Sequence, residues 1–534
     1  MAVALFFNIP SMATSSTTPN EKISERLFEL MSSNNETTVS IWLSSPNISS
    51  QQKELKNSIS NQGKDAYRVN KRTYLSQVSE IYVNHNQNFV NSFMDIDDII
   101  YISKYSPMII ANLSSEEIIF LCDKAEVISI DVYSDNDFVS SNIETCSYAQ
   151  LDTMEEELNS LGYTGSGISI GIIDSGIPLV SELDSDCLIG EMYGEYDGTH
   201  SSYVTNIMLS IAPDATYYFA GKPEESVTEL IEWLIQQNVD IINMSLVVSS
   251  TLNTYTNYSK WFDHIASQHA ILFISGAGNN MDNSDTSSRG IHAESMAYNN
   301  IAVGAMKYEN LEYTLCSFSS YYQGTTYVSK PDVCALGADG TSVAAPRVAA
   351  LAALLMEAND NLLYAPSVVK AIIMAAVDTD TPHHYVPTMR STSGTNYMQC
   401  GAGLINNTNA LTVAENSQFE YEVLSANSSN KTYTFNISSN DIGSLVRVSL
   451  AFLVPASALS SDHSADNVYS FDSIDLDLLV YAPNSTSACA ISATSFNSVE
   501  IVEFTAQVAG TYTIEVVTNN NEVPTEMGIA WFID

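Results

Sequence analysis

Apolar residues recur along this chain with three different periods, and the changes of period divide it. Between residues 21 and about 135 the pattern predicts a strand, two helices, a strand, a helix and a strand. Residues 38–43 and 127–132 alternate apolar and polar, as half-buried strands do, and 99–113 reads as extended chain. Ser49 with Gln52, and Ser114 with Glu117, have the spacing of a capping box, in which two residues at a helix start satisfy each other's backbone donors. Together these predict a small α+β unit with a helical portion over 65–98.

From 162 to about 410 the signature changes to short unbroken apolar runs, at 168–173, 239–244, 271–275 and 301–305, alternating with helical segments. Runs without polar alternation suit parallel strands covered on both faces, so this part predicts an α/β, doubly wound parallel sheet. In such sheets ligands gather at the carboxyl ends of the strands. After about 415 alternating strands take over, at 419–424, 432–437, 445–452, 476–481, 499–505 and 511–517, separated by turn residues. Short strands at that spacing predict an all-β sandwich. The resulting division is 1–20 as a candidate leader, 21–140 as the α+β unit, 141–412 as the α/β unit and 413–534 as the sandwich. Residues 134–147 are polar and irregular, the kind of exposed segment where proteolytic nicking concentrates.

Composition narrows the partners. With 62 Asp+Glu against 20 Lys+Arg the formal charge is -42, which repels phosphate backbones and anionic lipid; no nucleic acid partner is expected. The acidity leaves solubility, cation binding or basic substrates as its uses. Seven Cys occur with no CxxC and no Cys/His metal spacing, against a zinc site and against a compact disulfide framework. No apolar run reaches the roughly 18 residues of a membrane span, so none is expected. The first 13 residues are a short apolar stretch ending in small residues, a candidate export signal without a basic start.

Three positions carry candidate chemistry. Asp174 closes the run 168–173, where a doubly wound sheet presents ligands, although an Asp there is also an ordinary turn or cap residue. His200 follows a Gly-rich polar stretch and opens a helical run; alone it reads as a structural polar group. In Gly340-Thr341-Ser342-Val343-Ala344-Ala345-Pro346 small residues leave the Ser342 hydroxyl unobstructed at the start of an apolar helix, whose N-terminus favours nearby negative charge.

With these residues in hand the chain resembles the subtilisin-like (subtilase) serine peptidases. Residues 172–177 look like the Asp motif of that family, 200–205 fall where its His motif belongs, and Gly340 to Pro346 matches its Ser motif. Residues 239–246 are similar to the strand lining the substrate groove, Gly276-Ala277-Gly278-Asn279 matches the segment bearing the oxyanion Asn, and 369–371 and 401–404 also agree. The resemblance covers about half the chain and implies a catalytic triad of Asp174, His200 and Ser342, in the order known for subtilisin. It implies Asn279 as oxyanion donor and Ser245, Leu246, Val247, Gly276, Ala277 and Gly278 as substrate-binding residues. Two departures stand out. Ser201-Ser202 replaces the usual Gly-Thr after the His, and Val247-Val248 replaces Gly-Gly, placing branched side chains where substrate approaches.

The flanking units extend the resemblance. The α+β unit looks like the family's inhibitory propeptide, which implies a precursor that cleaves itself between roughly Ser134 and Tyr148 and whose partners are protein substrates and its own propeptide. The sandwich looks like the jelly-roll-like domains of secreted subtilases, which implies an extracellular location. No cofactor is required for the chemistry; structural calcium is a candidate at Asp472, Asp475 and Asp477, whose alternation also reads as a solvated strand face. Two other function classes stay open: a protein of this fold that binds without cleaving, and a sandwich that adheres to a surface or glycan.

Overall fold

The computed structural model describes residues 22–133, 162–183, 187–196, 199–221, 226–247, 251–323, 329–378, 399–456, 474–495 and 497–534. The candidate leader, the candidate cleavage segment and Asp472 lie outside the described residues.

The N-terminal unit runs α1 (Glu25–Met31), β1 (Glu36–Leu43), α2 (Ser49–Gln62), α3 (Lys64–Phe93), β2 (Ile99–Ile102), β3 (Met108–Ser114), α4 (Ser115–Cys122) and β4 (Val127–Val132). Its strands form one antiparallel sheet in the order β2-β3-β1-β4. The Ser114–Glu117 capping box forms as expected, the hydroxyl accepting from the Glu117 amide and the carboxylate from the Ser114 amide. The Ser49–Gln52 box does not. Ser49 is already inside the first turn, behind Ile48, and its amide donates to Asn47 Oδ1 at 3.0 Å. The expected extended stretch 99–113 is two strands folded back on each other, closed by hydroxyls of Ser103 and Ser106 in mutual contact at 2.7 Å.

The central unit contains β5 (Ser169–Ile173), β6 (Leu188–Gly194), α5 (His200–Ile211), β7 (Thr216–Gly221), α6 (Val227–Gln236), β8 (Ile241–Met244), α7 (Asn257–His269), β9 (Leu272–Gly276), α8 (Ala293–Met296), β10 (Ile301–Glu309), β11 (Glu312–Leu315), β12 (Val333–Leu336), α9 (Thr341–Ala358), α10 (Pro366–Ala375) and α11 (Asn407–Glu415). The sheet order is β11-β10-β9-β8-β5-β7-β6, with β12 beside β10; all pairings are parallel except β10 with β11. This is the doubly wound α/β architecture. Strand β5 lies between β7 and β8; after it the chain builds the sheet on one side through β6 and β7 and then on the other from β8 to β10, so the carboxyl end of β5 is a switch point where a ligand crevice opens. Strands β5, β8 and β9 are buried along their whole length, which is why they read as unbroken apolar runs. Strand β6 is a largely exposed edge and carries no such run. Helix α9 is long and apolar enough by length and composition to cross a membrane, and its residues from Thr341 to Met356 are buried in this core.

The C-terminal unit is a sandwich of two four-stranded antiparallel sheets built from β13 (Phe419–Leu424), β14 (Lys431–Ile437), β15 (Leu445–Phe452), β16 (Ile474–Tyr481), β17 (Ala488–Ser492), β18 (Val499–Thr505), β19 (Gly510–Asn521) and β20 (Thr525–Ile533). The orders are β13-β20-β15-β18 and β14-β19-β16-β17. Among the described residues eight strands stand where six were expected. The alternation test misses β20 because both its faces are buried, one in the sandwich and one against α10. At that contact there is no room for a side chain: a Cβ on Gly528 would lie 2.5 Å from the backbone of Val368. Polar bonds continue the junction. Asn299 donates to Val454 O at 3.0 Å and accepts from Val454 N at 2.8 Å, and the buried Arg447 donates to Ala402 O at 3.0 Å.

Gly528→Ala should therefore force the sandwich off α10 and destabilise the protein by about 1–3 kcal/mol, the cost of overpacking a tight interior. Thermal unfolding of the full chain checks this; an unchanged midpoint would contradict the close approach.

Candidate active site

At the carboxyl end of β5 the backbone turns away at Asp174, whose carboxylate is 1% exposed. A carboxylate so buried needs donors. It accepts from the Ser175 amide at 2.8 Å and from His200 Nδ1–H at 2.7 and 2.8 Å. His200 is the first residue of α5, and its Nε2 lies 3.1 Å from Ser342 Oγ. The structure thus brings Asp174, His200 and Ser342 into one hydrogen-bonded line. Burial works against charge on the imidazole, but the charge of Asp174 and its hydrogen bond outweigh that, and the His200 pKa is raised above its ordinary 6.5.

The Ser201-Ser202 departure has a structural use. Ser202 Oγ accepts from the Leu179 amide at 3.3 Å and donates to Glu182 at 2.8 Å, while Glu182 also accepts from Tyr196 OH at 3.1 Å and through its backbone carbonyl from Asn206 at 3.0 Å. The loop leaving Asp174 is in this way tied to the helix carrying His200. Glu182 went unnoticed in the sequence, where nothing marks it apart from other acidic residues.

Ser342 sits in the first turn of α9, after Gly340. Pro346 has no N–H to give to the carbonyl four residues back. That carbonyl, Ser342 O, instead accepts from Ser245 Oγ at 3.0 Å, and Ser245 Oγ in turn accepts from Asn243 Nδ2 at 2.8 Å. Ser245, expected at the substrate, is committed by its hydroxyl to holding Ser342. Leu246 and Val247 follow it, both half-buried.

Asn279 lies on the segment after β9. Its Oδ1 accepts from the Thr341 amide at 2.9 Å and from Thr341 Oγ1 at 3.1 Å, and Thr341 Oγ1 accepts from the Gly278 amide at 3.0 Å. Because an amide N–H must face an oxygen, these bonds orient the Asn279 side chain and turn Nδ2 outward. A Cβ on Gly340 would lie 3.1 Å from Ser342 Oγ and 3.5 Å from Asn279 Nδ2, so hydroxyl and amide border the same small space. Gly276 is pressed against Thr341, where a Cβ would meet Oγ1 at 3.0 Å. Gly278 combines a φ of 109° with contact to His292 and needs to be glycine. Ala277 turns inward onto Ile291, Met296 and Tyr322. Thr341 was visible in the sequence as part of the motif, but its role as orienter of Asn279 was not.

At the candidate calcium site, Asp475 and Asp477 on β16 both accept from Asn519 Nδ2, at 3.4 and 2.5 Å. Among the described residues no group of three or more His, Cys, Asp or Glu is arranged to hold a metal, and Asp472, the third candidate, lies outside them.

The model of the Subtilase family matches residues 165–403. Subtilisin from Bacillus pumilus is 30% identical over 230 residues, covering 37% of this chain and 80% of that protein. Subtilisin NAT from Bacillus subtilis subsp. natto is 31% identical over 230 residues, and there the match spans 58% of the relative's length. Subtilisin E from Bacillus subtilis (strain 168) gives the same figures, so the chain spans somewhat more than half of these two relatives. Two solved structures are similar at lower identity. The epidermin leader peptide processing serine protease of Staphylococcus aureus is 14% identical with a TM-score of 0.43, covering 71% of this chain and 100% of that one. Fervidolysin from Fervidobacterium pennivorans is 13% identical with a TM-score of 0.43, covering 88% and 69%.

Ser245→Ala should leave a buried carbonyl without a donor and destabilise the protein by about 1–3 kcal/mol. Denaturant unfolding measures it; a loss no larger than that of an exposed Ser→Ala change elsewhere would contradict the role given to Ser245.

Proposed function

The chain belongs to the subtilase family, and from that premise we propose that it is a serine endopeptidase acting on protein or peptide substrates, with Asp174, His200 and Ser342 as catalytic residues. The observation that carries the reading is the continuous line from Asp174 through His200 to Ser342 Oγ, at 2.7 and 3.1 Å. A serine hydroxyl is a weak nucleophile at neutral pH. Neutral His200 takes its proton at Nε2 as Oγ attacks the scissile carbonyl, and Asp174 holds the imidazole tautomer and stabilises the imidazolium. The proton then passes to the leaving amine, and water releases the acyl group by the same steps in reverse. Negative charge on the tetrahedral oxygen is met by Asn279 Nδ2 and the Ser342 amide; loss of one such donor costs about 2.7–4 kcal/mol. These steps use side chains and backbone alone.

Leu246 and Val247 border the substrate in this reading, together with the backbone of Ser245, Gly276, Ala277 and Gly278, and the branched Val247 narrows the approach relative to glycine. The N-terminal unit serves as the propeptide, released by self-cleavage between Ser134 and Tyr148, and the protein acts outside the cell. Structural calcium is not part of the proposal at Asp475 and Asp477.

A fluorophosphonate probe should label the wild-type chain covalently and leave Ser342→Ala unlabelled. Equal labelling of both, or none of either after removal of the N-terminal unit, would overturn the proposal and favour a binding protein of this fold.

A further inference from the structure

Two cysteines distant in the chain meet inside the central unit. Cys334 is fully buried within β12, the last strand before Ser342, and Cys400 is 3% exposed. Residues 400–403 make a tight turn, closed by the Gly403 amide, which donates to Cys400 O at 3.1 Å. The turn lies along β12 in a fixed register. Ala402 N–H donates to Asp332 O at 2.7 Å, Cys334 N–H to Gly403 O at 2.8 Å and Ile405 N–H to Cys334 O at 2.9 Å. At Gly401 the φ is 57° and a Cβ would lie 2.1 Å from Asp332 O, so the two backbones touch with no side chain between them.

That register is pinned from several sides. The Asp332 carboxylate takes Lys330 and Lys370 at 2.8 Å each, and Arg447 of the sandwich donates to Ala402 O at 3.0 Å. The side chains of Cys334 and Cys400 fall in one apolar cluster with Met306 and Leu404, and the two thiols share a hydrogen bond. Cys334 Sγ is also pressed on β10, where a Cβ on Gly304 would lie 2.8 Å from it. Among the described residues the other cysteines are placed differently. Cys316 Sγ faces Gly337 O at 3.9 Å and Cys489 Sγ faces Val480 O at 3.2 Å, while Cys122 ends α4 and Cys187 precedes β6. A buried cysteine can serve simply as a small apolar side chain. Here two segments are locked side by side with thiol against thiol, which is the approach a disulfide needs.

We propose that Cys334 and Cys400 are a cross-linking site, joined as a disulfide when the chain folds in an oxidising compartment, and that the bond fastens the stretch of chain carrying Ser342. The inference goes beyond the endopeptidase reading and does not need the triad to be active.

Formation of the bond balances as a thiol–disulfide exchange with a low-molecular-weight disulfide of the oxidised-glutathione class. The thiolate of one cysteine attacks that reagent and expels one small thiol, leaving a mixed disulfide. The thiolate of the other then attacks the protein sulfur of the mixed disulfide and expels the second. Two S–H bonds of the protein are replaced by one S–S bond, and the protons and electrons leave with the reagent, which is reduced to two thiols. Burial pushes the Cys334 thiol well up and disfavours its thiolate in the closed core, so the exchange belongs to folding, before the turn docks on β12. Once the core is closed, the same burial shields the bond from reductant. Between Cys334 and Cys400 the chain runs through Ser342, α9 and α10, and the cross-link restricts the unfolded state over that whole stretch.

The full-length Ser342→Ala chain, produced in an oxidising secretory compartment, tests this without any catalytic readout. Unfolded in guanidinium with an alkylating agent and digested without reductant, it should yield a peptide pair holding Cys334 joined to Cys400, about 2 Da lighter than its two separated members and split by reductant. The same chain produced in a reducing compartment should unfold at a thermal midpoint lower by about 5 °C or more. A further Cys400→Ser change should remove that difference between the two preparations. Should this variant not fold, the peptide map of the Ser342→Ala chain decides the matter. Both cysteines alkylated in the oxidised preparation, Cys334 joined to Cys316 instead, or a cross-linked chain that melts with the reduced one would each overturn the proposal. Failure of the endopeptidase reading would leave this peptide map unchanged.

Discussion

An almost wholly buried carboxylate has to have its charge met at short range, and the site is arranged around that demand at Asp174. Left unpaired there, the charge would be expensive or would neutralise itself. The Ser175 amide and the His200 imidazole answer it, and in doing so fix which ring nitrogen carries the proton and where Nε2 points. The position of Ser342 is then significant only because two independent constraints bring it to that nitrogen. One is the buried helix that begins at Thr341, and the other is the Ser245 hydroxyl that replaces the hydrogen bond Pro346 is unable to make.

Neighbouring units of the chain are joined to this centre by the same two devices, close backbone approach and satisfied buried polar groups. Gly528 allows the sandwich to touch α10, and Asn299 and Arg447 bond across that junction. At the contact with the N-terminal unit, α3 buries Lys71 against two carbonyls of the central unit. These contacts pack both flanking units against the central one.

Much of this was legible beforehand, for identifiable reasons. Strands β5, β8 and β9 are buried on both faces, so their residues are apolar without interruption and the run itself reports the environment. Asp174 stood out because it closes such a run, His200 because it opens a helix after a Gly-rich stretch, Ser342 because small residues surround it, and Asn279 only through the resemblance of its segment. What escaped notice depends on partners far away in the chain. The role of Glu182 exists only through Ser202 and Tyr196, that of Ser245 only through Pro346, and that of Thr341 only through Asn279. Strand β20 was missed because α10 covers the face that would otherwise have been polar, and the Ser49 cap because a spacing is blind to where the first helical turn begins.

The account turns on the coupling between Asp174 and His200, and the imidazole's own titration measures it most directly. Followed by nuclear magnetic resonance in the Ser342→Ala chain, His200 should titrate above pH 6.5, and the midpoint should fall when Asp174→Asn removes the carboxylate's charge. A midpoint at or below 6.5 that does not respond to Asp174→Asn would contradict it.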